Sequence, residues 1–114
     1  MGSDPIFYSP HSQPMTATAQ SLTQDSEAYL RSLFLAKLPQ GARVYLFGSR
    51  ARGDARWNSD FDFWLDCAVD RSTLLEIEET IEESFVPFNV DLVTTAQLTG
   101  RFGEIVKQEA KPWL

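Results

Sequence analysis

The chain has 114 residues, enough for one small domain around a single core. Sixteen acidic residues against ten basic ones give a formal net charge of −6, which excludes general nucleic-acid binding by phosphate neutralisation. No apolar run approaches the roughly 18 residues of a membrane span, and one cysteine, Cys67, excludes an internal disulfide or a cysteine-based zinc site.

A soluble, cytoplasmic protein with no membrane role is therefore expected. Residues 1 to about 20 are rich in Ser, Pro, Gln and Thr and lack periodicity. They predict a disordered tail or an appended extension, outside a domain spanning 21–114. This tail has no cationic region followed by an apolar stretch, so it is a poor signal peptide; its His11 is given no role. The first helix is expected over Leu22 to Leu38. Ser21 and Gln24 fit a capping box, and Tyr29, Leu30, Leu33, Phe34 and Leu38 form a stripe at helical spacing. Pro39-Gln40-Gly41 stops it.

Val44 to Phe47 is apolar on both faces, as a buried central strand would be. Ser49 to about Gly53 has room for one or two helical turns, Asp54 to Asn58 is a polar loop, and Asp60 to Leu65 is a second strand. Asp70 is a good N-cap for a helix to about Ser84. Leu74, Ile77, Ile81 and Phe85 supply its inner stripe, with Glu76, Glu79, Glu82 and Glu83 outside. Pro87 closes that helix before a third strand, Asn89 to Val93. There Asp91 and Val93 face one way, and Val90 and Leu92 the other. A last helical region, Thr95 to Lys111, carries Leu98, Phe102, Ile105 and Val106. The predicted order is α-β-α-β-α-β-α, an α+β domain without internal repeats.

Chemistry concentrates between Val44 and Asp66. In a strand, Asp60 and Asp62 share one face, roughly 6.6 Å apart along the backbone, with Phe61 and Phe63 on the other. Two such carboxylates repel each other unless a cation sits between them. Gly48-Ser49 is the natural place for phosphates sharing that cation. Gly48 and Gly53 have P-loop spacing, but Asp54-Ala55 follows where a P-loop needs Lys-Ser/Thr, so this is not a Walker A site. Blander readings stand beside these. Asp60 and Asp62 suit a solvent-facing edge strand neutralised by Arg50, Arg52 or Arg56, and Asp91 suits a strand-end cap. Ser59 reads as a turn residue, Trp57 as packing or a base-stacking ring, and Cys67 as a small buried apolar residue.

G-S-R-A-R-G from Gly48 to Gly53, then S-D-F-D from Ser59 to Asp62, with Asp91 downstream, resembles the signature of the minimal nucleotidyltransferases (MNT). These are the smallest members of the DNA polymerase β-like nucleotidyltransferase superfamily. The resemblance covers roughly residues 22 to 111 and implies that family's fold, a small mixed sheet flanked by helices. It also implies roles. Asp60, Asp62 and Asp91 become the catalytic, metal-holding set for two Mg²⁺ ions, with Asp91 on the catalytic ion alone and helping to draw the proton from the attacking hydroxyl. Gly48 lets backbone approach the triphosphate, and Ser49 donates to its β- or γ-phosphate. Arg50 and Arg52 contact phosphate or hold the partner substrate.

Such a site needs in-line positioning and charge neutralisation rather than covalent help from protein. The implied reaction joins NMP from an NTP, with ATP expected, to a hydroxyl acceptor and releases pyrophosphate. Members resembling this chain pair with a helical HEPN-domain protein, which implies an antitoxin that AMPylates that partner. A non-catalytic subunit that masks its partner, and a transferase acting on a small aminoglycoside-like molecule, are the alternatives. Exposed aromatics leave homo-oligomerisation open.

Overall fold

The computed structural model describes the backbone of residues 14–114 and the side chains of residues 18–114. Residues 1–13 of the tail expected over residues 1 to about 20, with His11, lie outside the described residues, whereas residues 14–20 are helical. Among the described residues, four helices and four strands follow in the order α1 (Pro14–Lys37), β1 (Arg43–Phe47), α2 (Ser49–Arg52), β2 (Phe61–Asp66), α3 (Arg71–Glu82), β3 (Val90–Thr94), α4 (Gly100–Glu109) and β4 (Lys111–Pro112). A short 3₁₀ turn, Thr95–Gln97, joins β3 to α4. Among the described residues no helix is long and apolar enough to cross a membrane.

The sheet is mixed, in the order β3-β2-β1-β4. β1 runs antiparallel to β2, with Val44 opposite Leu65 and Phe47 opposite Asp62. β2 runs parallel to β3, with Phe61 opposite Val90 and Asp62 opposite Asp91. Period-two alternation then sorts side chains to two faces. On one, Val44, Phe61, Phe63, Leu65 and Leu92 bury against Leu30, Leu33, Phe34 and Leu38 of the α1 side and Ile77 and Ile81 of α3. On the other, Phe47 packs with Leu98 and Val106, flanked by Trp64 and Val93. The Tyr45 and Trp64 rings stack there at 4.6 Å. β1 is thus covered on both sides, as its apolar run implies.

The α-β-α-β-α-β-α order is present, with corrections at both ends. α1 begins at Pro14, well before Leu22, so Ser21 and Gln24 lie inside the helix and form no N-terminal capping box. Its first turns are Thr-, Ala- and Gln-rich and offer no apolar stripe, although Ala19 is buried. The single helix expected over Thr95 to Lys111 is broken. Thr94 and Gln97 form a capping box around the 3₁₀ turn, α4 starts at Gly100, and Lys111–Pro112 pairs with β1 as a fourth strand.

Two apolar stripes also differ from expectation. Phe85 lies beyond the end of α3, 54% exposed, edge-on to Tyr29. Phe102 and Ile105 are 49% and 41% exposed, because α4 buries Gly103 and Val106 instead, Val106 packing with Phe47 and with Leu98 of the preceding turn. A Cβ on Gly103 would stand 2.7 Å from the Leu98 carbonyl oxygen, so this close approach requires glycine. Elsewhere local chemistry holds. Asp70 caps α3 by accepting from the Thr73 N–H at 2.7 Å, and Glu76, Glu79, Glu82 and Glu83 line its exposed side.

Candidate active site

The turn after β1 is the centre of the site. Gly48 has φ 76° and ψ −158°, backbone that is essentially closed to other residues. A Cβ there would also collide with the Asp62 carboxylate. The Gly48 carbonyl accepts from the N–H groups of Ala51 and Arg52 and starts α2, with Ser49 as its first residue. α2 has only four residues and ends at Gly53, whose φ of 88° turns the chain out into the loop.

Asp62 and Asp91 are direct register partners in a parallel pair and so share a face, the one that carries Phe47 and α4. Asp60 precedes the first residue of β2, two residues from Asp62, and is exposed to solvent like Asp91. The Asp62 carboxyl is pushed up to about 6, first by burial, then by the charge of Asp91 and a hydrogen bond with it, and further by Asp60 and Glu109. Two clefts open beside Asp91. One, of about 270 Å³, sets Asp62 and Asp91 against Phe47, Val93 and Phe102. The other, of about 450 Å³, is lined by Asp60, Asp91, Glu78, Glu82, Phe88 and Asn89 among others.

The donor set suits a hard divalent cation: oxygen ligands, mutual repulsion for a cation to relieve, and a glycine beside them where a Cβ would fill the space. Among the described residues no three carboxylate, imidazole or thiol groups close on a metal position by themselves.

The two arginines part company. Arg50 donates from Nε and Nη2 to the Ser59 carbonyl, at 3.0 and 2.7 Å, and from Nη2 to the Trp57 carbonyl at 3.1 Å. Its guanidinium lies 4.0 Å from the centroid of the Phe61 ring and 4.9 Å from that of Phe88. Burial lowers its pKa, against the opposing charges of Glu27 and Asp60. Arg50, a candidate for phosphate contact or for holding the partner substrate, here staples the loop that delivers Asp60. Arg52 is exposed and paired with Glu109 at 2.9 Å and Asp54 at 3.2 Å. The other loop residues stay local: Ser59 Oγ accepts from the Arg56 N–H, and Trp57 is 52% exposed.

Glu109 is the residue that sequence reasoning missed. Its Oε1 accepts from the Gly48 N–H at 3.1 Å while its Oε2 holds Arg52. A carboxylate in the last turn of a helix opposes the helix dipole, which is the signal that something external must hold it.

The family model for "Polymerase beta, Nucleotidyltransferase" matches residues 33–111. The chain belongs to the polymerase beta nucleotidyltransferase family. It is 30% identical over 96 residues, 82% of this chain and 84% of the relative, to the Haemophilus influenzae protein named "Probable protein adenylyltransferase MntA". A solved toxin–antitoxin structure with AMP-PNP matches with TM-score 0.63 and 26% identity, over 77% of this nucleotidyltransferase and 72% of the matched chain. A Shewanella oneidensis complex of a tri-AMPylated HEPN toxin with its MNT antitoxin matches with TM-score 0.59 and 22% identity, over 80% and 71%, and speaks to the fold alone.

Proposed function

We propose that this nucleotidyltransferase moves AMP from ATP to a hydroxyl group on a HEPN-domain partner protein, acting as the antitoxin of the pair. The observation that carries the reading is Asp62 in register with Asp91 on the face that opens beside Gly48 and Ser49. Like charges held this close favour a cation between them. Asp60, Asp62 and Asp91 would hold Mg²⁺, whose contribution is to neutralise charge on the phosphate and on departing pyrophosphate.

The chain's own residues do the rest. Gly48 admits the triphosphate backbone-first, and Ser49 offers its hydroxyl and amide to the β- or γ-phosphate. Asp91 takes part in drawing the proton from the attacking hydroxyl. That oxygen bonds to the α-phosphorus as the bond to pyrophosphate breaks in line. Arg50 keeps Asp60 in place through the Trp57 and Ser59 carbonyls. The name of the Haemophilus relative and the AMP-PNP in the matched complex support adenylyl transfer to protein; the HEPN partner follows from the family resemblance.

The test is transfer of label from α-labelled ATP, with Mg²⁺, to the product of the neighbouring gene, which this reading expects to be a HEPN protein. Labelled partner with wild type, and none with Asp60→Ala or Asp62→Ala, is expected. Neutralisation of the partner without label, unaffected by either substitution, would establish masking instead. Label on a small molecule but never on the partner would move the acceptor to the aminoglycoside class.

A further inference from the structure

We propose that Glu109 is a positioning residue of the triphosphate site, holding the Gly48 turn and Arg52 in the geometry that receives the phosphates. This rests on the nucleotide reading above. α2 has four residues and a single buried side chain, Ala51. A helix that short does not hold itself together, because nucleation costs more than one turn of hydrogen bonds returns. Its orientation must therefore be imposed from outside. One carboxylate does this at both ends of the segment: Oε1 on the Gly48 main chain at 3.1 Å, Oε2 on the Arg52 guanidinium at 2.9 Å.

Glu109 is itself placed by the C-terminal strand. Two residues on, Lys111 pairs with Leu46 of β1, and the N–H groups of Trp113 and Leu114 bond to the Val44 carbonyl at 2.8 and 3.1 Å. β4 lies on the opposite side of β1 from β2. Gly48 is thus gripped between two carboxylates, Glu109 from the β4 side and Asp62 from the β2 side. Asp62 faces the cleft lined by Asp91, whereas both oxygens of Glu109 are already committed, to an N–H and a guanidinium. Glu109 acts through the turn rather than on the reacting atoms.

A carboxylate near a polyphosphate can also act by direct competition with it, and the two readings differ in sign. Removing a positioning residue weakens nucleotide binding; removing a competitor strengthens it. The experiment is calorimetric titration of the full chain with AMP-PNP and Mg²⁺, for wild type, Glu109→Ala and Glu109→Gln, each with its melting midpoint. Positioning predicts that Glu109→Ala raises Kd about tenfold, the factor one charge-assisted hydrogen bond is worth. Glu109→Gln keeps an acceptor oxygen for the Gly48 N–H, so it recovers part of that loss. Should Glu109→Ala not fold, Glu109→Gln against wild type carries the comparison.

Tighter binding in either variant overturns the proposal in favour of competition. Unchanged affinity with a lowered midpoint overturns it in favour of a purely architectural contact. A wild-type chain that binds no AMP-PNP fails earlier, at the nucleotide reading itself, and removes the site on which Glu109 was to act.

Discussion

Gly48 and Asp62 touch across the β1–β2 pair so closely that no side chain can be built on Gly48 without striking the Asp62 carboxylate. The same glycine has φ 76° and ψ −158°. Gly48→Ala therefore meets two separate obstacles, a forbidden backbone region costing about 1–3 kcal/mol and a collision with a proposed metal ligand. The expected outcome is AMP transfer below about one hundredth of wild type, as fits a misplacement at the reacting centre, together with a lowered urea midpoint. Near-normal transfer by this variant would show that the turn does not receive the triphosphate.

Arg50 separates two roles that the sequence leaves open. Its planar guanidinium lies over Phe61 while donating to two carbonyls of the Asp60 loop. Lysine cannot reproduce both the stack and the fork. Arg50→Lys should lower stability by about 1–2 kcal/mol in urea unfolding, from lost cation–π and hydrogen-bond terms. A phosphate-binding arginine would behave otherwise. Its replacement would leave the unfolding midpoint where it was and raise only the Kd for AMP-PNP.

The legible parts of the site were those written in local periodicity. Phe61-Asp62-Phe63 alternates inside β2, so the face that Asp62 takes follows from spacing, whereas β2 begins one residue later than expected and leaves Asp60 in the segment before it. Asp91 needed more: its own strand face was readable, but its place opposite Asp62 depends on pairing between distant segments. The contacts of Arg50 were not legible because its partners are main-chain carbonyls, which carry no residue identity. β4 has two residues, too few to show a period, and its Pro112 argues against a strand unless the strand is an edge. Glu109 left one trace, an acidic residue at the wrong end of a helix.

The short C-terminal strand should matter more than its length suggests. The Trp113 ring lies 4.6 Å from Phe63 and 6.0 Å from Phe34, centroid to centroid, with the Arg31 guanidinium 4.4 Å above it. These are core residues of the α1 face. Trp113→Ala should cost about 2–3 kcal/mol, somewhat below a fully buried aromatic truncation because the ring is only half-buried. Trp113→Phe should recover most of it. A midpoint shift worth less than about 0.5 kcal/mol, the range of ordinary surface substitutions, would mean that the strand is not docked in solution.

Asp62 sets a pH dependence whose sign can be worked out. Its carboxyl is pushed up to about 6 in the folded chain, chiefly by burial and then by Asp91, against about 3.9 when unfolded. Between those values the folded state binds more protons than the unfolded one, so stability falls as pH rises through the window. The group contributes favourably below about pH 4, and that contribution is gone above about pH 6. The informative quantity is the difference between wild type and Asp62→Asn in EDTA, which isolates this carboxyl from the rest of the chain. Asn at this position should be the more stable chain at pH 7, with the gap closing towards pH 4. Adding Mg²⁺ with AMP-PNP should raise the wild-type midpoint and leave Asp62→Asn nearly where it was, because only the ionised carboxylate gains a cation. If the two proteins keep a constant gap from pH 4 to 7, Asp62 is not the strained carboxylate of this cluster. If Mg²⁺ with AMP-PNP moves both midpoints equally, the cation is not held at Asp62.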